Sequence, residues 1–370
     1  MSKRGPISTP TTIHLVTVVW GEEHTRRFLD LAVPSQLALG NLAGLAALAP
    51  MEYHVYTSKQ DREQIERSEG LSRIAEHARV RFRELPRETL AGHAHEAMSR
   101  AHADILDVVC KADEPVVFLA PELVLSDGSL ANVARRLGDG ARLILAVGMR
   151  LKADVAPTIR ERFADDGVIT APARQLARLA LSHLHPMTEA YYWDAPRPTV
   201  WPANLLWRVG DDGVLAHCFH LHPLVIWPER PAELRGTIDG RFIDEVCSPR
   251  SVHVSQDSDE LLMVTLDQNP GADQGLHDAP VGRWTIANWA AAATGPQHRR
   301  HVVLPIRIHA SDLDEGWQRA EKNATGVVHG IMRRVRLLAL VLPPWRKTRA
   351  AAARNPVLRN LYRRLSRLVR

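Results

Sequence analysis

Short apolar runs alternate with amphipathic stretches along the first 150 residues of the chain. Five segments have the length and pattern of strands, and one of them alternates polar and apolar positions as a strand with one solvent-exposed face does. These segments are 13–20, 52–57, 79–84, 116–119 and 142–149. The intervening segments have helical spacing. This order predicts an α/β fold, with a mostly parallel, Rossmann-like sheet flanked by helices.

One stretch, residues 114–130 (EPVVFLAPELVLSDGSL), combines a buried strand with a polar group at its end. Ala120-Pro121-Glu122 interrupts its apolar run, which predicts that Glu122 lies at the carboxyl end of a central strand. Ligands bind at this end of open α/β sheets. The alternative is that Glu122 faces solvent in a loop. Ser126 or Asp127 is placed to cap the helix predicted from residue 129.

The second half of the chain contains the phrase His-Leu-His-Pro twice, at 183–186 and 220–223. The first of the two phrases directly follows the segment 155–182, which is predicted to be helical. Two histidines two residues apart lie on one face of a strand, and imidazole is a common ligand for zinc and iron. The candidate metal ligands are therefore His220 and His222, together with Glu122 from the first half. The alternative is that these histidines are structural and hydrogen-bonded.

A polar segment, residues 235–245 (RGTIDGRFIDE), contains three carboxylates and two arginines. Two glycines within it indicate a tight loop. Asp239, or failing it Asp244, is a candidate general base. Arg235 and Arg241 are candidate phosphate-binding residues. The alternative is a solvated polar loop.

Tryptophans are concentrated between residues 193 and 227. Their flat apolar faces with a polar edge suit stacking against sugar rings, although core packing uses the same residues. We take Trp193, Asp194 and Trp201 as candidate acceptor-binding residues.

Composition narrows the class of protein. The chain has 370 residues, and 45% of them are hydrophobic, which is enough for a substantial core. Its three cysteines are widely spaced and odd in number, which argues against a disulfide framework and favours a reducing compartment. The N-terminus has no apolar signal-peptide region, and no run is long enough to span a membrane. These features predict a cytoplasmic protein.

The charge is unevenly distributed. Of the 47 Lys and Arg residues, 12 lie in residues 331–370, which leaves 35 against 42 Asp and Glu in the rest of the chain. The body is therefore mildly acidic, which argues against a nucleic-acid partner. Pro343-Pro344 is expected to break the tail, and NPVLRNLYRRLSRLVR after it forms a basic amphipathic helix suited to the anionic inner face of a membrane. The alternatives are a helix packed on the body and a disordered tail.

Two common nucleotide-binding motifs are missing. The first turn, Trp20 to His24, has no glycine-rich fingerprint, and the chain contains no P-loop sequence. A classical Rossmann dehydrogenase or a nucleoside triphosphatase is therefore disfavoured.

Three phrases resemble bacterial glycosyltransferases of the GT-A type, chiefly over residues 12–150. They are TIHLVTVVWG, the phrase PSQL with GNL after it, and FLAPELVLSDGSL. In that family the corresponding strand ends in Asp-x-Asp, which holds a divalent cation and the donor diphosphate. Ala120-Pro121-Glu122 stands at that place, so the first acid is missing and the last is glutamate.

The resemblance implies transfer of a sugar from a nucleotide-sugar donor to a hydroxyl group on a cell-envelope or lipid-linked glycan. Glu122 would hold Mn²⁺ or Mg²⁺ with the donor diphosphate, and His220 or His222 would be a further ligand. Asp239 or Asp244 would deprotonate the acceptor in an inverting reaction. Two other functions stay open: a catalytically silent module that binds a glycan or a partner, and a metal-dependent hydrolase built on the His-x-His phrases.

The predicted organisation has four parts. They are a flexible N-terminus (1–11), a donor-binding half (12–150), an acceptor-binding half (151–330) and the basic amphipathic tail (331–370), which is expected to contact the membrane peripherally.

Overall fold

The computed structural model describes residues 9–90, 94–267 and 275–354, without the side chains of Arg87 and 340–354. The strands in these ranges are β1 Ile13–Val18, β2 Met51–Thr57, β3 Arg79–Glu84, β4 Val116–Phe118, β5 Leu123–Leu125, β6 Leu143–Ala146, β7 Gly148–Lys152, β8 Ala164–Asp165, β9 Val168–Ile169, β10 Asn204–Val209, β11 Gly213–Cys218, β12 His222–Ile226, β13 Val252–Val254, β14 Met263–Asp267 and β15 Ile306–His309.

The helices in the same ranges are mostly short. They are α1 Glu22–Arg27, α2 Val33–Gln36, α3 Leu42–Ala46, α4 Lys59–Glu66, α5 Glu69–Ala75, α6 Arg87–Leu90, α7 Ala94–Ala112, α8 Ser129–Gly138, α9 Ala156–Phe163, α10 Ala173–Ser182, α11 Pro186–Glu189, α12 Phe242–Val246, α13 Arg283–Ala293, α14 Pro296–His301 and α15 Glu315–Arg354. A π-helical turn, Phe28–Ala32, joins α1 to α2, and a 3₁₀ turn, Ala153–Val155, precedes α9.

Seven strands form the central sheet, in the order β13-β6-β12-β4-β1-β2-β3. The strands β1 to β4 are parallel to their neighbours among themselves, β13 is parallel to β6, and β12 runs antiparallel to both of its neighbours. The sheet is therefore mostly parallel, as predicted. Because the chain continues from β1 to β2 on one side and returns to β4 on the other, β1 and β4 form a topological switch point.

Alternate residues of the central strands pack on helices on opposite faces of the sheet. Val16 and Phe118 lie in the core beneath α7, whereas Leu15 and Val117 lie in the core beneath α8. Strands covered on both faces need continuous apolar runs, which explains why the pattern of β1 and β4 was readable from the sequence.

A fully buried asparagine, Asn41, connects the segment after α2 to the stretch of residues 114–130. The Nδ2 of Asn41 donates to the carbonyl oxygen of Ser35 at 2.7 Å, and its Oδ1 accepts from the backbone N–H of Leu130 at 3.1 Å. The preceding Gly40 approaches the same stretch so closely that a Cβ atom there would lie 2.5 Å from the backbone nitrogen of Gly128. The Gly-Asn pair therefore holds the loop at the start of α8.

The predicted cap of α8 is wrong. The residue before the helix is Gly128, which has a φ of 89°, and no side chain caps the helix. Asp127 instead accepts a hydrogen bond from the backbone N–H of Gly40 at 2.8 Å, and the hydroxyl of Ser126 bonds to that of Ser129. The polar residues are used to hold the Gly40 loop, which lies 87 positions away in sequence.

The predicted helix over 155–182 is interrupted by a β-hairpin. Asp166 and Gly167 have φ values of 44° and 71° and form the two-residue turn between β8 and β9. Asp-Gly is the favoured sequence for such turns, because both central residues need positive φ. The predicted strand 142–149 also divides, since β6 stays in the central sheet and β7 joins β5 and β14 in a second sheet.

The start of the predicted tail packs on the body of the protein. Ile331 and Val335 of α15 are buried against α13, and the Arg334 guanidinium lies 5.2 Å from the ring of Trp284. The predicted break at Pro343-Pro344 is wrong, because α15 continues through both residues. Each proline removes one backbone donor, but its fixed φ is itself within the helical range.

Two predicted terminal features fall largely or wholly outside the described residues: the flexible N-terminus and the amphipathic helix of residues 355–370. Among the described helices, none has the length and apolarity that crossing a bilayer requires. The second half of the chain supplies β12 and β13 to the central sheet. The assignment of donor and acceptor roles to the two halves stays a prediction.

Candidate functional site

A cavity of about 400 Å³ opens at the carboxyl ends of β1 and β4, where the chain order reverses. Its walls come from the ends of these strands, from the turn after β4, and from α1, α7 and β12. The residues that line it include Val18, Trp20, His24, His95, Met98, His102, Phe118, Ala120, Pro121, Glu122 and His222. Most of this surface is apolar, with one carboxylate and four histidines among the lining side chains.

Glu122 lies in the turn between β4 and β5, at the carboxyl end of a central strand as the sequence predicted. Its side chain is about one quarter exposed, and its Oε2 lies 3.8 Å from the Nδ1 of His24. That oxygen is inaccessible to solvent and accepts no hydrogen bond in the described structure. The carboxylate of Glu122 is the main cause of a raised pKa of His24. His24 is therefore the group that balances the charge of the Glu122 carboxylate in the described structure.

Two further histidines, His102 and His222, line the same cavity as Glu122. Burial lowers the pKa of His102 to about 3, and burial also lowers the pKa of His222. The Nε2 of His222 donates to the carbonyl oxygen of Phe118 at 3.2 Å. A neutral imidazole that donates from Nε2 carries its lone pair on Nδ1. His222 thus offers an acceptor or a metal ligand at neutral pH.

The two histidines of the second His-x-His phrase do not share one face of a strand, contrary to the prediction. His222 begins β12, whereas His220 precedes that strand and packs its ring 4.4 Å from that of His298. The carbonyl oxygen of Asp239 accepts from both His220 Nδ1 and His298 Nε2, at 3.3 and 3.0 Å. His220 therefore supports the loop that carries Asp239 and does not line the cavity.

Asp239 lies near the cavity histidines. Burial lowers the pKa of His102, of His220 and of His222, and the negative charge of Asp239 acts in the opposite direction by raising each pKa. Asp244 has a different environment, because its Oδ1 accepts from the backbone N–H of Gln297 at 3.0 Å, at the start of α14. Of the two candidate bases, Asp239 is the one whose charge acts on the cavity histidines His102 and His222.

The remaining predicted site residues do not line this cavity. Arg235 is exposed and paired with Glu233, and Arg241 is exposed on the same segment. Trp193 stacks on Trp207 at 6.0 Å, Asp194 accepts from Arg208, and Trp201 is 60% exposed. Their assignment to phosphate and acceptor binding stays a prediction.

The first His-x-His phrase has a local structural role. His185 caps the N-terminus of α11, because its Nδ1 accepts a hydrogen bond from the backbone N–H of Met187. The side chain of His183 hydrogen-bonds to the carbonyl oxygen of Leu179. In the described part of the chain, neither phrase belongs to a group of three ligand side chains close enough to share one ion. A metal held by Glu122 and His222 would need further ligands from its substrate.

Sequence reasoning missed the contribution of α7 to the cavity. His95, Met98 and His102 line it together. Their spacing of three and four residues places them on one face of the helix, which was a usable signal. His24 was missed because it follows a different strand, and only the parallel pairing of β1 with β4 brings it to Glu122.

We expect the stability of the protein to fall between pH 6.5 and pH 4 through His301, which is buried in α14. Burial, followed by the charges of His298 and Arg300, lowers the pKa of His301 to about 4. The unfolded chain therefore binds a proton near pH 6.5, whereas the folded protein binds it only near pH 4. The titration of His301 alone thus lowers the free energy of unfolding by roughly 2 kcal/mol between pH 7 and pH 5.

Urea unfolding at pH 7 and pH 5 measures this loss, with His301→Gln as the matched variant. The variant is expected to lose about 2 kcal/mol less than the wild type over the same interval. Equal losses in the two proteins would show that His301 titrates normally.

Comparison with known proteins identifies no family for this chain. No family model matches it, and no curated protein matches it. Among solved structures, it is similar to the crystal structure of mouse xyloside xylosyltransferase 1 in its apo form, over 41% of this chain and 56% of that chain, with 12% identity and a TM-score of 0.27. The chain thus spans about half the length of that structure, and a TM-score of this size does not define a shared fold. The fold and the cavity define an α/β protein with a cavity at the switch point of its central sheet.

Proposed function

We propose that this protein is a GT-A-like glycosyltransferase, which moves a sugar from a nucleotide-sugar donor to a hydroxyl acceptor. One observation carries the proposal: the cavity lies at the carboxyl ends of β1 and β4 and contains Glu122. Doubly wound sheets bind nucleotides at this place. The volume of about 400 Å³ lies within the range of sites for small ligands. The position of Glu122 also matches the last residue of the family's Asp-x-Asp motif.

The side chains of the cavity suit the parts of such a donor. Trp20, Met98 and Phe118 supply apolar surface for a base and a ribose. Glu122 would hold a Mn²⁺ or Mg²⁺ ion together with the donor diphosphate, since these cations prefer oxygen ligands and share them with phosphates. The cation would take the place of His24, whose Nδ1 lies 3.8 Å from the Oε2 of Glu122, and the Nδ1 of His222 is a candidate further ligand. The ion, when bound, would neutralise charge on the departing diphosphate.

The transfer needs a base for the acceptor. The carboxylate of Asp239 would take the proton of the acceptor hydroxyl, while the acceptor oxygen bonds to the anomeric carbon of the donor sugar. The bond from that carbon to the diphosphate oxygen breaks, and the nucleoside diphosphate leaves. A cell-envelope or lipid-linked glycan is the acceptor class that the family resemblance and the basic tail favour.

A panel of nucleoside diphosphates and nucleotide sugars, with and without Mn²⁺, tests the donor site by thermal unfolding. A ligand that binds only the folded state stabilises it by roughly 2.7 kcal/mol at 100 times its dissociation constant. We expect one nucleoside series to raise the melting temperature. Met98→Trp, which fills the cavity, should abolish the rise, and Leu39→Ala, on an exposed residue outside it, should retain it. No response to any nucleotide, or a response retained in Met98→Trp, would contradict the proposal.

A second function, a silent binding module, is favoured by Ala120. This residue lines the cavity where the family motif has its first acid, so the motif supplies a single carboxylate. A silent module would bind a nucleotide or a glycan without consuming it. Release of nucleoside diphosphate from the stabilising donor, measured in a coupled assay, separates the two functions.

A further inference from the structure

A second group of polar side chains lies under α7 at the opposite end of the sheet from the cavity. His14 and Glu52 are the second residues of β1 and β2 and lie opposite each other in the parallel pair, and His54 lies at the middle of β2. Because alternate residues of a strand share a face, all three side chains lie on the same face of the sheet as Val16 and Tyr56. His14 and His54 are only 4% and 1% exposed.

The three side chains converge on one point. The Nδ1 of His14 lies 2.9 Å from the Nε2 of His54, and that nitrogen lies 3.6 Å from the Oε2 of Glu52. One ligand atom from each residue lies within 4.8 Å of the other two. Two imidazoles and a carboxylate are a ligand set that zinc takes in proteins, with water at the fourth position.

Outer hydrogen bonds hold two of these ligands, His14 and Glu52, in place, whereas the Nδ1 of His54 is buried without a hydrogen-bond partner in the described structure. The Nε2 of His14 donates to Glu114 Oε2 at 2.7 Å, and Glu114 Oε1 accepts from the hydroxyl of Thr11. Arg81 donates to Glu52 Oε1 at 3.1 Å, which leaves Oε2 directed at His54. A histidine that binds a metal through one nitrogen and a carboxylate through the other is the usual arrangement around zinc.

We propose that His14, Glu52 and His54 form a binding site for a zinc ion, with Glu114 as a positioning residue. Two nitrogens at tetrahedral positions about 2.0–2.1 Å from zinc are about 3.3 Å apart, so the imidazoles would separate by about 0.4 Å. The nitrogen donors favour zinc over calcium or magnesium. The ion would join β1 to β2, and Glu114 would connect it to the start of β4. These three strands are neighbours in the central sheet, so the ion would link adjacent strands.

A second group of three possible ligands, Asp257, Asp259 and His309, lacks these features. The Arg174 guanidinium already binds Asp259 at 2.9 Å and also pairs with Asp312. Asp257 accepts from His309 Nε2 at 2.9 Å, and Asp259 is exposed. The positive charge of Arg174 therefore balances the carboxylates at that place without a metal ion. This group of residues serves as a control.

The test uses the full chain, freed of metal with a chelator and then titrated with zinc chloride at pH 7.5. We expect one equivalent of zinc by elemental analysis after desalting, and a higher melting temperature than that of the metal-free protein. Glu52→Gln should lose the bound zinc. Glu114→Gln, which keeps all three ligands, should weaken zinc binding by about 10–100-fold. Cobalt in place of zinc should give the visible absorption bands of a tetrahedral site.

Two variants exclude the other candidate sites. Asp259→Asn and Glu122→Gln should both retain the full equivalent of zinc, and the second also separates this site from the proposed donor site. The proposal is overturned if the wild-type chain takes up no zinc, if Glu52→Gln retains it, or if Asp259→Asn or Glu122→Gln releases it. The cobalt spectrum and zinc stoichiometry of the wild type decide the question if a variant fails to fold.

Discussion

Replacement of Asn41 by alanine is expected to lower the free energy of unfolding by roughly 2–5 kcal/mol. The amide of Asn41 makes two buried hydrogen bonds, one to the carbonyl oxygen of Ser35 and one from the backbone N–H of Leu130. Alanine leaves both backbone groups buried without a partner, and each such group costs about 1–3 kcal/mol. The loss is large because water cannot replace the amide at a residue with no solvent exposure.

Asn132→Ala is the matched control. Asn132 donates to the carbonyl oxygen of Glu260 and accepts from Arg135, at a half-buried position that water can reach. We expect this variant to cost about 1 kcal/mol. Equilibrium unfolding in urea at pH 7 measures both. If the two variants lose equal stability, the buried amide of Asn41 does not hold the central stretch in the way described above.

If the proposed glycosyltransferase function is correct, replacement of Glu122 by glutamine should reduce transfer from the donor that the nucleotide panel identifies at least 100-fold. Glutamine has the size of glutamate but no charge, so it would hold the cation and the donor diphosphate poorly. In metal-assisted reactions, stabilisation of the charge on the leaving group lowers the activation free energy by several kcal/mol. Each 1.36 kcal/mol of activation free energy changes the rate about tenfold, so the loss of about 3 kcal/mol corresponds to about 100-fold. The measurement is nucleoside diphosphate release under saturating donor.

Glu84→Gln provides the control for that experiment. Glu84 is an exposed carboxylate at the carboxyl end of β3, in the same sheet and with the same change of charge, but it does not line the cavity. Its turnover should equal that of the wild type. Glu122→Gln with wild-type turnover would remove Glu122 from the donor site, and equal losses in both variants would indicate a general effect of net charge.

The strands β1, β2, β3 and β4 could be predicted because their residues obey local rules. Burial on both faces demands a continuous apolar run, and the exposed edge strand β3 alternates instead. The place of Glu122 followed from the same pattern, since a proline and a polar residue end an apolar run. The sequence Asp166-Gly167 is itself a signal for a hairpin turn. It was missed because the helical spacing on both sides led to the prediction of one continuous helix over residues 155–182.

The parts of the site that come from distant segments were not predictable in this way. His24 meets Glu122 only because β1 and β4 pair, and the two are 98 positions apart in sequence. The division of residues 142–152 between two sheets depends on β14, a strand more than 100 residues later. The separation of His220 from His222 depends on where β12 begins, which its pairing with β6 decides.

The sequence by itself determined the class of fold, the central strands and the position of one carboxylate at a strand end, because hydrophobic burial and turn chemistry act over a few residues. Tertiary structure alone decided which polar groups meet. It placed His24, His102 and His222 around Glu122, and it brought His14, Glu52 and His54 to one point at the other end of the sheet. Such groups converge through strand pairing across tens of residues, and no local pattern in the sequence records which strands will pair.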